Sequence, residues 1–162
     1  MADADRPAAA GSDPDQSLVL TRAFDARREA VFRAWTDPAQ VARWLGPRTV
    51  KADVKTMDPR PGGNYRIAMH RADGGVSTVQ GTYREVVPPE RLSFTWAWED
   101  EAGKPGHETV VTVTFREIGN RTELTLRHEL FDTRAARDDH GQGWTASFDT
   151  MTEVLAGRTG KA

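Results

Sequence analysis

Hydrophobic residues near the C-terminal end of the chain recur at the spacing of an amphipathic helix. Successive members of this set are separated by four, three and four positions. They are Trp144, Phe148, Met151 and Leu155. Residues at these intervals lie on one face of an α-helix, so the pattern predicts a long helix over residues 133–155. Asp132 or Thr133 can cap its first turn, and Gly157 can end it.

Most of the preceding chain alternates between apolar and polar positions, which is the pattern of β-strands with one buried face. The alternation predicts strands near residues 17–24, 50–55, 65–70, 79–83, 91–99, 111–115 and 124–130. The fifth of these is strongly aromatic, with Phe94, Trp96 and Trp98 on one face. In the last strand, His128 and Leu130 are predicted to share the inward face with two leucines.

Between the first and second predicted strands the apolar spacing becomes helical. It predicts two short helices, over residues 27–35 and 38–45. Asp37 can cap the second helix, and Pro38 suits its first position because the missing N–H has no partner there. Gly46 follows as an end signal. The predicted order is therefore one strand, two short helices, a run of strands and one long helix.

This order predicts an α+β fold. Strands joined by short turns pair antiparallel, and about seven of them form one sheet here. The sheet has an aromatic face, and the C-terminal helix is the one large element left to cover it. We therefore expect a curved antiparallel sheet wrapped around the long C-terminal helix. A β-sandwich is a weaker alternative, since it leaves that helix without a packing partner.

Composition narrows the class of protein. The 162 residues suit one domain, predicted over residues 17–157, with disordered tails at 1–16 and 158–162. A net charge of −2 gives no reason to expect nucleic acid or an anionic membrane as partner. No apolar run approaches the ~20 residues of a membrane span. The absence of cysteine excludes disulfides and thiolate chemistry, and it is consistent with a cytoplasmic protein.

Several phrases of the sequence resemble a known family. They occur in the family's order and cover nearly all of residues 17–155. The phrases are AWTDPAQVARWLGP, PGGNYR, GTYREVVPPERLSFTW, VTVTFREIGNRTELTLRHELF and HGQGWTASFDTM. They resemble the SRPBCC (START/Bet v 1-like) superfamily and, within it, the branch named after the activator of Hsp-90 ATPase homologue. The resemblance implies a helix-grip fold, in agreement with the architecture predicted from periodicity.

The resemblance implies several functions rather than one. The superfamily includes lipid and polyketide carriers, aromatase/cyclases, hormone receptors and a co-chaperone domain, and fold alone does not choose among them. The eukaryotic co-chaperone carries an additional N-terminal domain, whereas the extension before residue 17 is short here. We therefore do not expect stimulation of a chaperone ATPase from the family name alone.

The inward aromatic side chains suggest a ligand cavity between sheet and helix. Such sites are typically apolar and enclose ~300–1,000 Å³. The candidate ligand-binding residues are Trp44, Tyr65, Ile67, Met69, Phe94, Trp96, Trp98, Val111, Val113, His128, His140, Gly143, Trp144 and Phe148. Each ring taken singly also fits an ordinary packed core. Along the helix, we expect the later apolar residues to be core and the segment from His140 to Trp144 to border the cavity.

Polar candidates are few. His128, predicted inward, either orients a ligand or acts as a general base, or is a buried histidine with ordinary hydrogen-bond partners. His140 and Arg137 could attract a carboxylate or phenolate at the cavity entrance. Gly141 and Gly143 cost ~1 kcal/mol each in a helix, which either close packing or space for a ligand would explain.

No motif specifies catalysis, a metal or a cofactor. The four histidines show no metal-ligand spacing, no serine has a nucleophile-elbow context, and PGGNYR lacks the lysine of a phosphate loop.

Taken together, the fold and the inward aromatic residues predict a protein that binds a small hydrophobic molecule, aromatic or acyl in character. We expect it to be a monomer or homodimer. The alternatives are a protein-interaction module, with a chaperone as one partner to consider, and an aromatase/cyclase-like enzyme using His128 or His140 with Tyr65.

Overall fold

The elements follow the predicted order, although several boundaries move by one to four residues. The computed structural model describes residues 16–157. The predicted tails lie outside the described residues, apart from Gln16. In chain order the elements are β1 (Ser17–Phe24), α1 (Arg28–Thr36), α2 (Pro38–Trp44), β2 (Lys51–Met57), β3 (Asn64–His70), β4 (Val76–Val87), β5 (Arg91–Trp98), β6 (Thr109–Ile118), β7 (Arg121–Glu129) and α3 (Arg134–Leu155).

Local sequence signals set the ends of the helices. The Asp37 carboxylate accepts a hydrogen bond from the backbone N–H of Ala39 at 3.0 Å, and Pro38 occupies the first position of α2. At the start of α3, the Thr133 hydroxyl accepts from Ala136 N–H at 3.0 Å, so Thr133 rather than Asp132 is the cap. Helix α3 ends just before Gly157, which has a φ of 82°.

The seven strands form one antiparallel sheet in the order β1-β7-β6-β5-β4-β3-β2. The first strand pairs with the last, from Ser17 opposite Glu129 to Phe24 opposite Thr122. Helices α1 and α2 separate β1 from β2, which consequently lie at opposite edges of the sheet. Register shifts in β2 and β4 add local bending and twist. The curved sheet holds α3 against its concave face, as predicted.

The core lies between this concave face and the three helices. Its inward side chains from β6 and β7, including Val111, Val113 and Leu126, are fully buried. Helix α3 contributes Phe148 and Met151, which are 1% and 0% exposed. Within residues 16–157, no helix combines the length and the apolar character that a membrane crossing requires.

One inward residue was predicted wrongly. Leu130 does not share the buried face of β7; it lies just beyond the strand, with 45% exposure and a φ of 72°. The left-handed conformation changes the direction of the chain, so the next side chain, Phe131, is buried instead at 2% exposure. The backbone carbonyl of Leu130 accepts a hydrogen bond from His107 Nε2 at 2.6 Å, and Phe131 N–H donates to the Gln16 carbonyl at 3.0 Å.

Candidate functional site

A cavity of about 220 Å³ lies between the N-terminal half of α3, the turn after α2 and the inward side chains of β3 and β5. This volume is somewhat below the range usual for ligand sites. The lining residues are Leu45, Gly46, Pro47, Met69, Trp96, Trp98, Asp139, His140, Gly143, Trp144 and Ser147. Pro47 and Asp139 are exposed, so the mouth of the cavity is at the protein surface. Most of the wall is apolar.

The predicted site residues divide into three groups. Six of them line the cavity: Met69, Trp96, Trp98, His140, Gly143 and Trp144. Four surround a separate void of only about 30 Å³ deeper in the core: Trp44, Tyr65, Ile67 and Phe94. The last four are buried but line neither space: Val111, Val113, His128 and Phe148. The cavity is therefore lined by only part of the predicted set, and the other members belong to the packed core.

The deeper aromatic residues are closely packed. The indole N–H of Trp44 donates to the Ala34 carbonyl at 2.8 Å, and the Tyr65 hydroxyl donates to the Thr95 carbonyl at 2.5 Å. Burial raises the pKa of Tyr65 well above its ordinary value of 10.0. The Tyr65 ring also meets Phe94 edge-on, with 5.6 Å between the ring centroids. These contacts are those of a core, and the remaining void has the volume of about one water molecule.

Sequence reasoning missed the turn after α2 as part of the cavity wall. Gly46 has a φ of 84°, which favours glycine, and its backbone N–H donates to the Ser147 hydroxyl at 2.7 Å. The Ser147 hydroxyl donates in turn to the Gly143 carbonyl at 2.9 Å. This pair of bonds ties the turn to α3 beside the cavity. Ser147 lies one helical turn after Gly143, so helical periodicity could have placed its hydroxyl on the same wall of the cavity.

The two helix glycines play different roles. A Cβ built on Gly141 would meet Leu18 Cδ1 of β1 at 3.4 Å, so this position faces the sheet and a larger side chain there would press on Leu18. A Cβ built on Gly143 would meet nothing within 4 Å. The first glycine therefore faces the sheet, at a distance that is an ordinary van der Waals contact for a methyl group. The second borders open volume in the cavity wall.

His128 is a fully satisfied buried histidine. Its Nδ1 accepts from the indole N–H of Trp144 at 3.1 Å, and its Nε2 lies 2.7 Å from the Thr109 hydroxyl. The Thr109 hydroxyl donates its own proton to the Trp96 carbonyl, so it accepts from Nε2–H of His128. The ring is therefore neutral, with its proton on Nε2. Burial, reinforced by the nearby His140, holds the pKa of His128 well below 6.5.

His140 joins the helix to the sheet at the edge of the cavity. Its Nδ1–H donates to the Ala136 carbonyl at 2.7 Å, and its Nε2 accepts from the indole N–H of Trp98 at 2.9 Å. The Trp98–His140 pair also borders a second, more polar cleft of about 330 Å³. Arg137 lines neither space and pairs instead with Asp138 at 3.0 Å. An anion site formed by His140 and Arg137 is therefore not assembled in this structure.

The arrangement suits binding better than proton transfer. Each histidine near the cavity has both ring nitrogens in hydrogen bonds within the protein, which leaves no free nitrogen to act as a general base. The Tyr65 hydroxyl is engaged elsewhere and lies outside the cavity lining. Over residues 16–157, no group of three or more histidine or acidic side chains is placed to hold a metal ion.

A curved antiparallel sheet gripping a C-terminal helix, with a cavity beside that helix, defines the helix-grip class of proteins. A family model described as "Activator of Hsp90 ATPase homolog 1-like protein" matches residues 25–156. The chain therefore belongs to this family, in the SRPBCC superfamily that the sequence phrases resemble. No curated protein gives a significant match to the chain.

Solved structures of similar chains support the fold. A protein from Arthrobacter aurescens is 26% identical, with a TM-score of 0.81, and the match covers 91% of this chain and 92% of that one. The AHSA1 protein from Silicibacter pomeroyi is 28% identical, with a TM-score of 0.80 and coverage of 86% and 97%. A protein from Chromobacterium violaceum gives 26% identity, a TM-score of 0.80 and the same coverage of 86% and 97%. Their descriptions state no ligand or reaction.

Proposed function

We propose that this protein binds a small hydrophobic molecule, aromatic or acyl in character, in the cavity between the sheet and α3. The observation that carries the proposal is the open volume at Gly143, in a mostly apolar wall that includes three tryptophan side chains. A glycine in the middle of a helix costs ~1 kcal/mol relative to alanine. Within residues 16–157, nothing lies within 4 Å of a Cβ built on Gly143, so a bound molecule supplies a reason for this glycine.

Filling the cavity tests this proposal. The neutral fluorescent probe 1-aminoanthracene should bind saturably and quench tryptophan emission, because Trp96, Trp98 and Trp144 line the wall. The substitution Gly143→Leu places a side chain in the open volume and should weaken probe binding by about tenfold or more. The matched control is Gln142→Leu, which adds a leucine at an exposed position of the same helix turn.

Two results would contradict the proposal. One is the absence of saturable binding by the wild-type protein. The other is equal binding by the wild-type protein and by a folded Gly143→Leu variant. If Gln142→Leu weakened binding as much as Gly143→Leu, the effect would not come from the cavity either.

An enzymatic role of the aromatase/cyclase type has less support. It would need an inward acid–base pair within reach of a bound molecule. His128 and His140 have both ring nitrogens engaged, and the Tyr65 hydroxyl donates to a backbone carbonyl. Catalysis would first have to break one of these bonds.

A protein-interaction role also has less support. The exposed large hydrophobic residues of the described chain do not gather on one element: Val76 and Val87 lie at opposite ends of β4, and Leu130 follows β7. Single exposed hydrophobic residues are ordinary on a protein surface.

For the compartment we propose the cytoplasm, because a chain without cysteine fits a reducing environment. For the oligomeric state we propose a monomer or homodimer.

A further inference from the structure

The cavity and the more polar cleft of about 330 Å³ share part of their walls. The residues that line both spaces are Trp96, Trp98 and His140. Two of them are bonded to each other, because the indole N–H of Trp98 donates to Nε2 of His140 at 2.9 Å. Trp98 is the last residue of β5 and His140 lies in α3, so this pair bridges the sheet and the helix.

The order of the lining residues along α3 places this pair between the two spaces. Ala136 lines the cleft but not the cavity, and it lies one helical turn before His140. Gly143 and Ser147 line the cavity but not the cleft, and they lie about one and two turns after His140. The cleft therefore lies towards the start of the helix and the cavity towards its middle, with His140 at the boundary.

The order of the strands gives the same arrangement on the sheet. Strand β6 contributes Thr109 to the cleft, β3 contributes Met69 to the cavity, and β5 lies between these two strands. The boundary on the sheet is therefore formed by the inward residues of β5. Of these, Trp96 is only 6% exposed and also lines the deeper void, so it belongs to the packed core, whereas Trp98 is half-buried.

Hydrogen bonds and a ring contact hold Trp98 in place. His140 Nδ1–H donates to the Ala136 carbonyl at 2.7 Å, which fixes the imidazole on the helix. The Trp98 ring meets Trp96 edge-on, with 5.6 Å between the ring centroids. A ligand chain that passes from the cavity into the cleft beside this pair has to displace the indole and break its hydrogen bond, which costs free energy.

We propose that Trp98, positioned by His140, limits the length of the ligand, so that the cavity accepts a compact molecule such as one aromatic ring with a short chain. The inference rests on the proposed function, because it specifies which hydrophobic molecules the cavity accepts. The cavity alone, at about 220 Å³, is below the usual range of ligand sites, whereas the cavity joined to the cleft of about 330 Å³ would lie inside that range. Trp98 thus decides between a small site and a larger one.

A homologous series of para-alkylphenols measures this length limit by displacement of 1-aminoanthracene. In the wild-type protein, affinity should rise about threefold to fourfold with each added methylene until the cavity is filled, and then level off. In Trp98→Ala the rise should continue for about two or more further methylenes, because the chain can enter the cleft along Trp96 and Phe131. The control is Phe115→Leu, which loosens the packing of a buried β6 ring that lines neither space and should level off at the wild-type length.

Nuclear magnetic resonance locates the bound chain. In the ¹⁵N-labelled wild-type protein, para-heptylphenol should shift the backbone amide signal of Gly143, which lines the cavity, and leave that of Gly106, which lines the cleft, nearly unchanged. In Trp98→Ala both signals should shift. If Trp98→Ala does not fold, Trp98→Leu replaces it, since leucine keeps an apolar side chain and removes the indole. The wild-type half of the measurement needs no variant.

The failures are distinguishable. The inference is wrong if affinity levels off at the same length in the wild type and in the folded Trp98 variant, or if Phe115→Leu extends the rise as much. It is also wrong if wild-type affinity rises across the whole series, or if Gly106 responds as strongly as Gly143 in the wild type.

In each of these cases the phenols still bind, so the proposed function stands. Failure of every phenol to displace bound 1-aminoanthracene also overturns the inference alone. If 1-aminoanthracene itself does not bind the wild-type protein, the proposed function fails as well.

Discussion

The two halves of helix α3 face the same sheet but do different things. In the C-terminal half, Phe148, Met151 and Val154 are buried at 1%, 0% and 8% exposure. The N-terminal half presents His140 and the open side of Gly143 to a cavity. One amphipathic helix can therefore anchor a fold at one end and leave room for a ligand at the other.

The difference comes from side-chain volume and from what lies opposite. The Phe148 ring meets Phe24 of β1 edge-on, with 6.0 Å between the ring centroids, and Arg22 lies over the same ring. The N-terminal half is joined to the sheet by the Trp98–His140 and Trp144–His128 hydrogen bonds as well as by ring contacts of Trp144. At Gly143 this half has no side chain to fill the space beside it.

The largest expected effect is at the packed end. Phe148→Ala removes a fully buried ring with close aromatic neighbours and should lower the free energy of unfolding by about 3–5 kcal/mol. Urea denaturation monitored by tryptophan fluorescence measures this value. Gln142→Ala is the control on the exposed face and should stay within about 0.5 kcal/mol of the wild type. A loss near 1 kcal/mol for Phe148→Ala would show that the C-terminal half is not the anchor.

The next effect is a pH dependence from His128 of β7, which accepts a hydrogen bond from Trp144 in the N-terminal half of α3. His128 is neutral in the folded protein because its pKa is well below 6.5, so the unfolded chain takes up the proton first as pH falls. Stability from this group is complete above pH 6.5 and is lost below it. The slope should approach about 1.4 kcal/mol per pH unit below pH 6.5, as long as the ring in the folded protein stays neutral.

The comparison variant for this prediction is His128→Gln, in which that component of the slope should vanish. Nuclear magnetic resonance titration gives an independent reading, since the pKa of the His128 ring in the folded state should lie well below its ordinary value of 6.5. A midpoint near 6.5 in the folded protein would contradict the neutral hydrogen-bonded ring.

The smallest expected effect separates the two glycines of the same half. Gly141→Leu forces a side chain against Leu18, whereas Gly143→Leu enters open volume. The first variant should be less stable than the second by about 1 kcal/mol or more, because overpacking strains the contact with the sheet. Chemical denaturation of both variants measures the difference. Equal losses would mean that the cavity beside Gly143 closes in solution.

Much of the fold was predictable because periodicity is a local property. The spacing around Trp144 and Phe148 located α3, and Thr133 and Asp37 supplied caps that the structure confirms. The prediction for Leu130 was wrong because of the backbone conformation of this one residue. A single backbone rotation into the left-handed region turns Leu130 outward and Phe131 inward, and alternation along a strand carries no warning of where such a rotation occurs.

The candidate site was predictable only in part. Periodicity states which side of an element a residue is on, so it placed Tyr65, Phe94 and Trp96 together on the inward face. It does not state how far away the opposite element lies. That distance puts Tyr65 and Phe94 in a packed core and leaves Trp96 beside a cavity.

The sequence by itself determined the elements, their order, the helix caps and the apolar stripe by which α3 contacts the sheet. The tertiary structure decided where that stripe packs and where it leaves space, which histidine nitrogens are engaged, and which two indole N–H groups of the described residues lack a hydrogen-bond partner. The physical reason is that hydrogen bonds and cavities depend on atoms from segments far apart in the chain, such as Gly46 and Ser147. Their separation is set only when the sheet closes around the helix.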